Sequence, residues 1–380
     1  MTKHFFSVVA WGMIVSGHVL PLRGATADPM ASPPQDNARY VGAVGCQSSM
    51  CHGGASPSRD QFTIWLREDF HSRAYATLIT ARSVRMAESL GLTAATENTR
   101  CTVCHAPFAG LPPEHLATTT SVSDGVSCES CHNSATSWLR GHTRYDWTYG
   151  NRLEAGMRDL RSAYVRANTC VACHQVIDPA LVKAGHPELT FELDGQTASE
   201  PRHWQEKPDW AGPKAWLVGQ AVALREICNQ SATSEKSNDL VDQANALVWL
   251  LQQIPGGVNL SKSAAPDALA SIAAWSDQVA HTVSERDWKP KMSTDALSAL
   301  AATSSSFYDN SITVPEQELR AERLVLGLDR LFKSLHTEPS SPGQAELSAL
   351  FAAVQDRSQF NPSSFAKSLQ KFADIVTPTR

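Results

Sequence analysis

Apolar residues recur with two different patterns along the chain, and the change falls near residue 205. Beyond that point they are spaced by three and four residues, as on one face of an amphipathic helix. The pattern predicts an all-α bundle of six or seven helices over residues 205–380. The predicted helices span residues 214–229, 238–254, 267–286, 295–307, 315–335, 342–356 and 362–375.

Between residues 41 and 204 the apolar positions are less regular, and proline, glycine, serine and threonine interrupt them. One apolar helical face runs from Phe62 to Leu78, and a second helical stretch runs from Leu153 to Ala167. The best strand signal is Leu189–Leu193. We therefore predict a mainly α protein, in which a loop-rich domain with short helices over residues 41–204 precedes the bundle.

The N-terminus has the pattern of an export signal. A short basic start with Lys3 is followed by an apolar run over residues 5–20 and by an Ala25-Thr26-Ala27 cleavage site. The run is shorter than the roughly 20 residues that a membrane-spanning helix needs. We predict a cleaved signal peptide over residues 1–27, a flexible proline-containing leader over residues 28–40, and a periplasmic location. An uncleaved signal anchor is the alternative.

Composition excludes some classes of function. The chain has 380 residues, 42% of them hydrophobic and 19% charged, which is ordinary for a soluble globular protein. Its formal net charge of −5 has the wrong sign for a nucleic-acid-binding protein. We expect redox protein partners, no nucleic acid, and contact with a membrane only through a partner or an uncleaved anchor.

The candidate chemistry lies in four motifs in which a cysteine pair runs directly into a histidine. Three read Cys-x-x-Cys-His, the attachment signature of c-type haem, and the first is a stretched form with four residues between the cysteines. The two thiols of a motif can form thioethers to one porphyrin, and the histidine can ligate the iron axially. The sequence thus predicts four covalently attached haem c groups. The cysteines are Cys46, Cys51, Cys101, Cys104, Cys128, Cys131, Cys170 and Cys173, and the proximal histidines are His52, His105, His132 and His174.

Two other interpretations of the motifs are weaker. Paired Cys-x-x-Cys units can bind zinc, but four consecutive Cys-His endings behind an export signal do not fit that pattern. A disulfide framework suits an oxidising compartment, but it gives no reason for a histidine after each cysteine pair. The ninth cysteine, Cys228, lies on the apolar face of a bundle helix, and we expect a buried free thiol there.

Each haem iron has a second axial position, and its ligand separates a carrier from a catalyst. Seven further histidines follow the signal segment, and five lie within the haem-bearing stretch. We expect His115 to be a solvated loop residue, His281 and His336 to be ordinary helix residues, and Met86 and Met157 to serve packing. The candidate distal ligands are His71, His142, His186 and His203.

These residues suggest a family. The run Gly125-Val-Ser-Cys128-Glu-Ser-Cys131-His132, followed by Trp138 and Arg140-Gly-His142, resembles the third-haem region of the cytochrome c-554 family of tetrahaem cytochromes. The segment from Trp65 to His71 resembles that family's early helix. The resemblance covers roughly residues 40–190 and rests on the order and spacing of the motifs.

The resemblance implies a set of iron ligands. His142 would be the distal ligand of the first haem, opposite His52, and His71 that of the third, opposite His132. The fourth haem would also be bis-histidine, with His186 as its best distal candidate opposite His174. The second haem of the family is five-coordinate, which would leave the iron at His105 open.

The sequence departs from the family in three respects: the stretched first motif, the presence of His203, and the helical C-terminal half. The family's members shuttle electrons between proteins, so the leading hypothesis is a periplasmic tetrahaem electron carrier whose haems are mostly bis-histidine. The first alternative is a multihaem oxidoreductase acting on a small nitrogen or sulfur species at an open iron at His105. The second is an interaction module that anchors haems in a larger respiratory complex.

Overall fold

The protein is described by a computed structural model that covers residues 38–175, 177–233, 238–256, 268–336, 338 and 340–377. The predicted signal peptide and residues 28–37 of the predicted leader lie outside these ranges. Of the last three leader residues, Arg39 is exposed, whereas Ala38 and Tyr40 are buried: Tyr40 is 1% exposed, and its ring centroid lies 5.0 Å from that of Phe108. Among the described helices, none is both long and apolar enough to cross a membrane.

The chain is mainly helical, as predicted. Its N-terminal part joins short α-helices by 3₁₀ turns and loops. These helices are α1 (Gln61–Arg67), α2 (Ala74–Leu78), α3 (Ala81–Ser89), α4 (Thr99–His105), α5 (Cys128–His132), α6 (Tyr149–Glu154), α7 (Ala163–Val171), α8 (Pro179–Lys183) and α9 (Leu193–Ser199). Over the described residues no strand forms, so the strand prediction for Leu189–Leu193 is wrong. A single parallel bridge joins Tyr40 and Leu116 there.

Two stretches predicted as continuous helices are interrupted by local capping. The buried carboxylate of Asp69 accepts the backbone N–H of His71 at 2.9 Å, which ends α1 and starts a separate 3₁₀ turn before α2. In the second stretch, Gly156 has a φ of 100°, a left-handed conformation that glycine adopts readily. Helix α7 then starts afresh at Ala163, with Ser162 as its N-cap.

The C-terminal part forms seven helices within the described residues, and their positions follow the predicted ranges closely. They are α10 (Gly212–Thr233), α11 (Asn238–Gln252), α12 (Leu269–Glu285), α13 (Pro290–Ala301), α14 (Val314–Leu335), α15 (Gln344–Gln355) and α16 (Pro362–Val376). The helix predicted over residues 295–307 begins earlier, at Pro290, and its last turns are 3₁₀.

Helix α10 is the centre of the bundle core. It packs against α11, α12 and α14, and its Trp216 is fully buried. Gly327 of α14 lies beneath that indole, where a Cβ atom would come within 2.5 Å of the Trp216 ring, so glycine permits the close approach of the two helices.

The same core extends into the haem-motif region. Ala163, Ala167 and Val171 of α7, each at most 3% exposed, pack in one cluster with the residues of α10. Because α7 leads directly into the fourth Cys–His motif, the packing of α7 on the bundle also fixes the position of that motif. The domain boundary at residues 204/205 stays a prediction, since the core draws residues from both sides of it.

A buried polar network reinforces the contact between α7 and the bundle. The guanidinium of Arg225 on α10 donates to Glu226 at 2.7 Å, to Asp277 on α12 and to the side-chain oxygen of Asn168 on α7. The hydroxyl of Tyr164, also on α7, donates to Asp277 at 2.8 Å. The side chains of Arg225 and Glu226 are each 8% exposed, and charged groups so buried are stable only when paired, so this network fixes α7 against α10 and α12.

Candidate haem-binding site

The regular Cys-x-x-Cys-His motifs lie on or next to a helical turn. The second motif ends α4, the third constitutes α5, and the fourth begins in the last turn of α7. Residues three apart on a helix share a face, so both thiols of a motif point to the same side. In the fourth motif the backbone N–H of His174 donates to the carbonyl of Cys170 at 3.0 Å, which fixes the histidine beside the thiols.

The stretched first motif closes with an equivalent hydrogen bond. The backbone N–H of His52 donates to the carbonyl of Cys46 at 3.3 Å, so the two extra residues loop out without separating the ends. The turn is tight because Gly53 passes directly over Gln47, where a Cβ atom would lie 1.9 Å from the Gln47 carbonyl oxygen. The backbone of the histidine is therefore joined to that of the first cysteine in both the stretched motif and the fourth motif.

Three proximal histidines face a distal candidate at the separation that a shared iron requires. Metal–imidazole bonds are about 2 Å long, so two rings on opposite sides of one metal have centroids about 6 Å apart. The observed centroid separations are 6.0 Å for His52 and His142, 6.3 Å for His105 and His186, and 5.9 Å for His174 and His71.

The remaining candidate, His203, lies near the third motif. Burial, followed by the nearby charge of His203, lowers the pKa of His132 to about 4. The loop carrying His203 is held to α7, because Arg166 forms two hydrogen bonds with Glu206, at 2.6 and 3.1 Å. The indole N–H of Trp204 donates to the same carboxylate at 2.7 Å.

Two of the implied pairings differ from what the structure shows. His142 faces His52, as the resemblance implies, but His71 faces His174 rather than His132. His186 faces His105 rather than His174, so the second motif is not left open on its distal side. Whether each of these histidines binds iron stays a prediction.

The contacts around the 185–187 turn explain the position of His186. Arg82 on α3 donates to the carbonyl of Gly185, at 3.1 Å from its Nε, and the φ of Gly185 is 107°. Arg100 on α4 forms an ion pair with Asp178 at 2.5 Å. Both contacts draw the segment that follows the fourth motif back over the second.

Five of the paired histidines use Nδ1 for a hydrogen bond to the protein, which leaves Nε2 available as a ligand atom. Such bonds orient a ligating imidazole and fix its tautomer. The Nδ1 partners are Gln61 Oε1 for His52 at 2.9 Å, Thr77 Oγ1 for His105 at 2.9 Å, the Leu139 carbonyl for His142 at 2.6 Å, the Pro187 carbonyl for His186 at 2.8 Å, and Asp69 Oδ1 for His71 at 3.0 Å.

His71 has the strongest anchor. Burial lowers its pKa, but Asp69 and Glu200 outweigh that effect and raise the pKa to about 10. Its backbone carbonyl accepts the N–H of Val126 at 3.0 Å, and Gly125 passes so close that a Cβ atom would lie 2.8 Å from that oxygen. The Gly125-Val126 pair that precedes the third motif thus holds the His71 turn in place.

Thiols of different motifs contact one another. A hydrogen bond from Cys128 lowers the pKa of Cys46, and one from Cys173 lowers the pKa of Cys104. Burial raises the pKa of Cys170, and the nearby Cys131 raises it further. The first motif therefore adjoins the third, the second adjoins the fourth, and the third adjoins the fourth.

The side chains beside the first site include hydrogen-bond donors that suit the carboxylate groups of a porphyrin. Within the described part of the chain, two buried donors beside the first site, Trp138 Nε1 and Arg152 Nε, have no protein acceptor. The Trp138 ring lies 5.4 Å from that of His142, and Arg152 is close enough to lower the pKa of His142 after the larger effect of burial. Haem propionates are acceptors of the kind that such donors need.

The other histidines and methionines have ordinary roles. The backbone carbonyl of His115 accepts the N–H of Tyr40 at 2.8 Å, and the His336 ring stacks on Phe332 at 4.2 Å. His281 packs edge-on against Tyr164, and Met157 packs on the cluster around Trp138.

Sequence reasoning missed Glu129, which lies between the cysteines of the third motif. It is 1% exposed, and its carboxylate accepts the backbone N–H groups of Val41 at 2.9 Å, Gly42 at 2.8 Å and Ala135 at 2.6 Å. Burial raises its pKa to about 7 although these bonds lower it. The sequence did contain one signal. Glu129 is a charged residue between two cysteines, and both cysteines are expected to be covered by porphyrin.

We expect Glu129→Gln to destabilise the protein by about 1–3 kcal/mol, because one amide oxygen replaces two carboxylate oxygens that serve three donors. Chemical denaturation of the holoprotein followed by circular dichroism would measure the loss. Glu88→Gln, on the exposed side of α3, is the control and should leave the midpoint unchanged. Equal midpoints for both variants would contradict a structural role for Glu129.

Comparison with known proteins agrees with this geometry. A family model described as cytochrome c554 and c-prime matches residues 46–133. No curated protein and no solved structure matches the chain significantly. The matched segment contains the first three Cys–His motifs and His71, and the family implies covalently bound haem c. Over this segment, which is less than half of the chain, the protein is therefore similar to the cytochrome c554 and c-prime family.

Proposed function

We propose that the protein is a periplasmic tetrahaem cytochrome that relays electrons between redox protein partners. The observation that carries the proposal is the set of facing histidines: three pairs lie at 5.9–6.3 Å, and the charge of His203 acts on the one remaining proximal histidine, His132. Haem c, when bound, supplies a one-electron iron couple with a potential that its axial ligands set. Two imidazoles on each iron close both axial positions and favour a carrier over a catalyst.

The contacts between motifs support a relay. Since Cys46 contacts Cys128 and Cys104 contacts Cys173, groups tethered to these thiols are held next to each other. The proximity of Cys131 and Cys170 connects the two pairs. The motifs therefore follow one another in space in the order first, third, fourth, second, which differs from their order in the chain and offers a continuous route.

The periplasmic location rests on the sequence of residues 1–27, and it agrees with the need to attach c-type haem outside the cytoplasm. The partners are redox proteins that donate and accept single electrons. The bundle contributes by holding α7, and with it the fourth motif and the loop that carries His203.

The haem count and spin state test this proposal. We expect the purified protein to contain four haems per chain by alkaline pyridine assay and mass, with all four irons low-spin by electron paramagnetic resonance. Replacing Cys101 and Cys104 by serine should reduce the count to three, whereas Cys228→Ser, in the bundle core, should leave four.

A high-spin iron in the wild-type protein that binds nitric oxide would contradict the closed arrangement. It would favour the alternative of an oxidoreductase acting on a small nitrogen or sulfur species at His105. Fewer than four haems per chain would contradict the tetrahaem proposal itself.

A further inference from the structure

His71 differs from the other anchored histidines in the chemistry of its Nδ1 partner. Carboxylate oxygens of Asp69 and Glu200 lie 3.0 and 3.7 Å from this atom. The Nδ1 partners of His52, His105, His142 and His186 are neutral amide, hydroxyl or carbonyl oxygens. Among these five imidazoles, only that of His71 is therefore bonded to negative charge.

The position of the two carboxylates makes their charge effective. Asp69 is 4% exposed, and its side chain is fixed because it also accepts the backbone N–H of His71 at 2.9 Å. The Glu200 side chain is about one-quarter exposed, at the end of helix α9. Coulomb interactions are screened less at a buried site such as that of Asp69 than at the surface, so the Asp69 charge acts on His71 more strongly than an exposed charge would.

A carboxylate acceptor increases the basicity of a ligating imidazole. Hydrogen bonds of this kind are a recognised means by which proteins tune a metal through its ligands. Greater electron donation, together with nearby negative charge, stabilises the oxidised iron relative to the reduced iron. A low reduction potential is the consequence.

We propose that Asp69 and Glu200 are positioning residues that give the iron bound by His71 a lower reduction potential than the irons held by the His52–His142 and His105–His186 pairs. This inference rests on the proposed function, since it presumes iron at His71. It adds a direction to the relay: the iron of the fourth motif, held by His174 and His71, releases its electron more readily than the irons of the first and second motifs, and an electron leaving it moves to an iron of higher potential.

Spectroelectrochemical titration of the holoprotein tests the inference. In Asp69→Asn we expect one reduction wave to move to more positive potential by about 59 mV, which corresponds to a tenfold change in the one-electron equilibrium constant. Asparagine retains an oxygen for the backbone N–H of His71, so the turn is preserved. Glu200→Gln should move the same wave in the same direction by a smaller amount, because Glu200 is farther from Nδ1.

The matched control is Asp124→Asn. This half-buried carboxylate accepts the backbone N–H of Ala43 at 3.2 Å, near the first motif, and contacts none of the paired imidazoles. It should not move the wave that shifts in Asp69→Asn. Low-spin resonance of the His71 iron provides a second readout, because its g-values report the basicity of the axial imidazole and should change in Asp69→Asn but not in Asp124→Asn.

The outcomes separate this inference from the proposed function. If the variants retain four low-spin haems but no wave moves, or if Asp124→Asn moves the same wave equally, the inference is wrong and the proposed function stands. If the wild-type protein lacks four low-spin haems, the proposed function fails by its own test.

Discussion

Replacing His186 by alanine should convert one of four low-spin irons to high-spin, and the affected iron should be that held by His105. The two rings face each other at 6.3 Å, and the 185–187 turn is held over the second motif by Arg82. Removal of the imidazole leaves the iron with one protein nitrogen, which is the open arrangement typical of a catalytic haem. Electron paramagnetic resonance and carbon monoxide binding would each report the change.

Added imidazole should restore the low-spin state of His186→Ala, because the missing ligand is then supplied from solution. The control is His115→Ala, since the backbone carbonyl rather than the ring of His115 makes the contact with Tyr40. This variant should keep four low-spin irons. A His186→Ala protein with an unchanged spectrum would refute the assignment of His186 and return it to an ordinary turn residue.

Replacing Arg225 by methionine should cost about 3 kcal/mol or more of folding stability, because the change leaves the acceptors Glu226, Asp277 and Asn168 without their shared donor. Methionine is chosen because it retains most of the side-chain volume. Urea unfolding followed by far-ultraviolet circular dichroism would measure the loss.

Hydrogen exchange locates the effect of Arg225→Met. Amides of α7 should exchange faster while those of α16, which packs against α13, α14 and α15, should change little. Lys291→Met is the control, because Lys291 and its partner Asp295 are 81% and 43% exposed and such a pair contributes at most about 1 kcal/mol. Equal losses in the two variants would show that the buried network does not hold α7.

The helices of the bundle could be predicted because each is specified by local periodicity, and the Cys–His motifs because their chemistry requires adjacent residues. The helix breaks at Asp69 and Gly156 could not be predicted, because the apolar pattern continues through both positions. The first break depends on a side-chain cap and the second on a backbone angle. Capping by Asp69 was visible only once its carboxylate was seen to be buried against His71.

The pairing of histidines could not be predicted from local sequence, because it depends on contacts between distant segments. Arg82 and Gly185, which bring His186 to His105, are 103 positions apart. The family resemblance implied that His142 faces His52, and the structure shows this pair. His52 lies in the matched segment and His142 lies just beyond it. The resemblance did not anticipate the partners of His71 and His186, since His174 and His186 both lie beyond residue 133.

The seating of α7 on α10 has a consequence for synthesis. Domains generally fold as units, N-terminal parts first, while the chain is being made. Here the apolar face formed by Ala163, Ala167 and Val171 stays exposed to solvent until α10 and α12 have been synthesised. The fourth motif therefore acquires its support last, and a nascent chain that stops before Gly212 would present this face to chaperones and proteases.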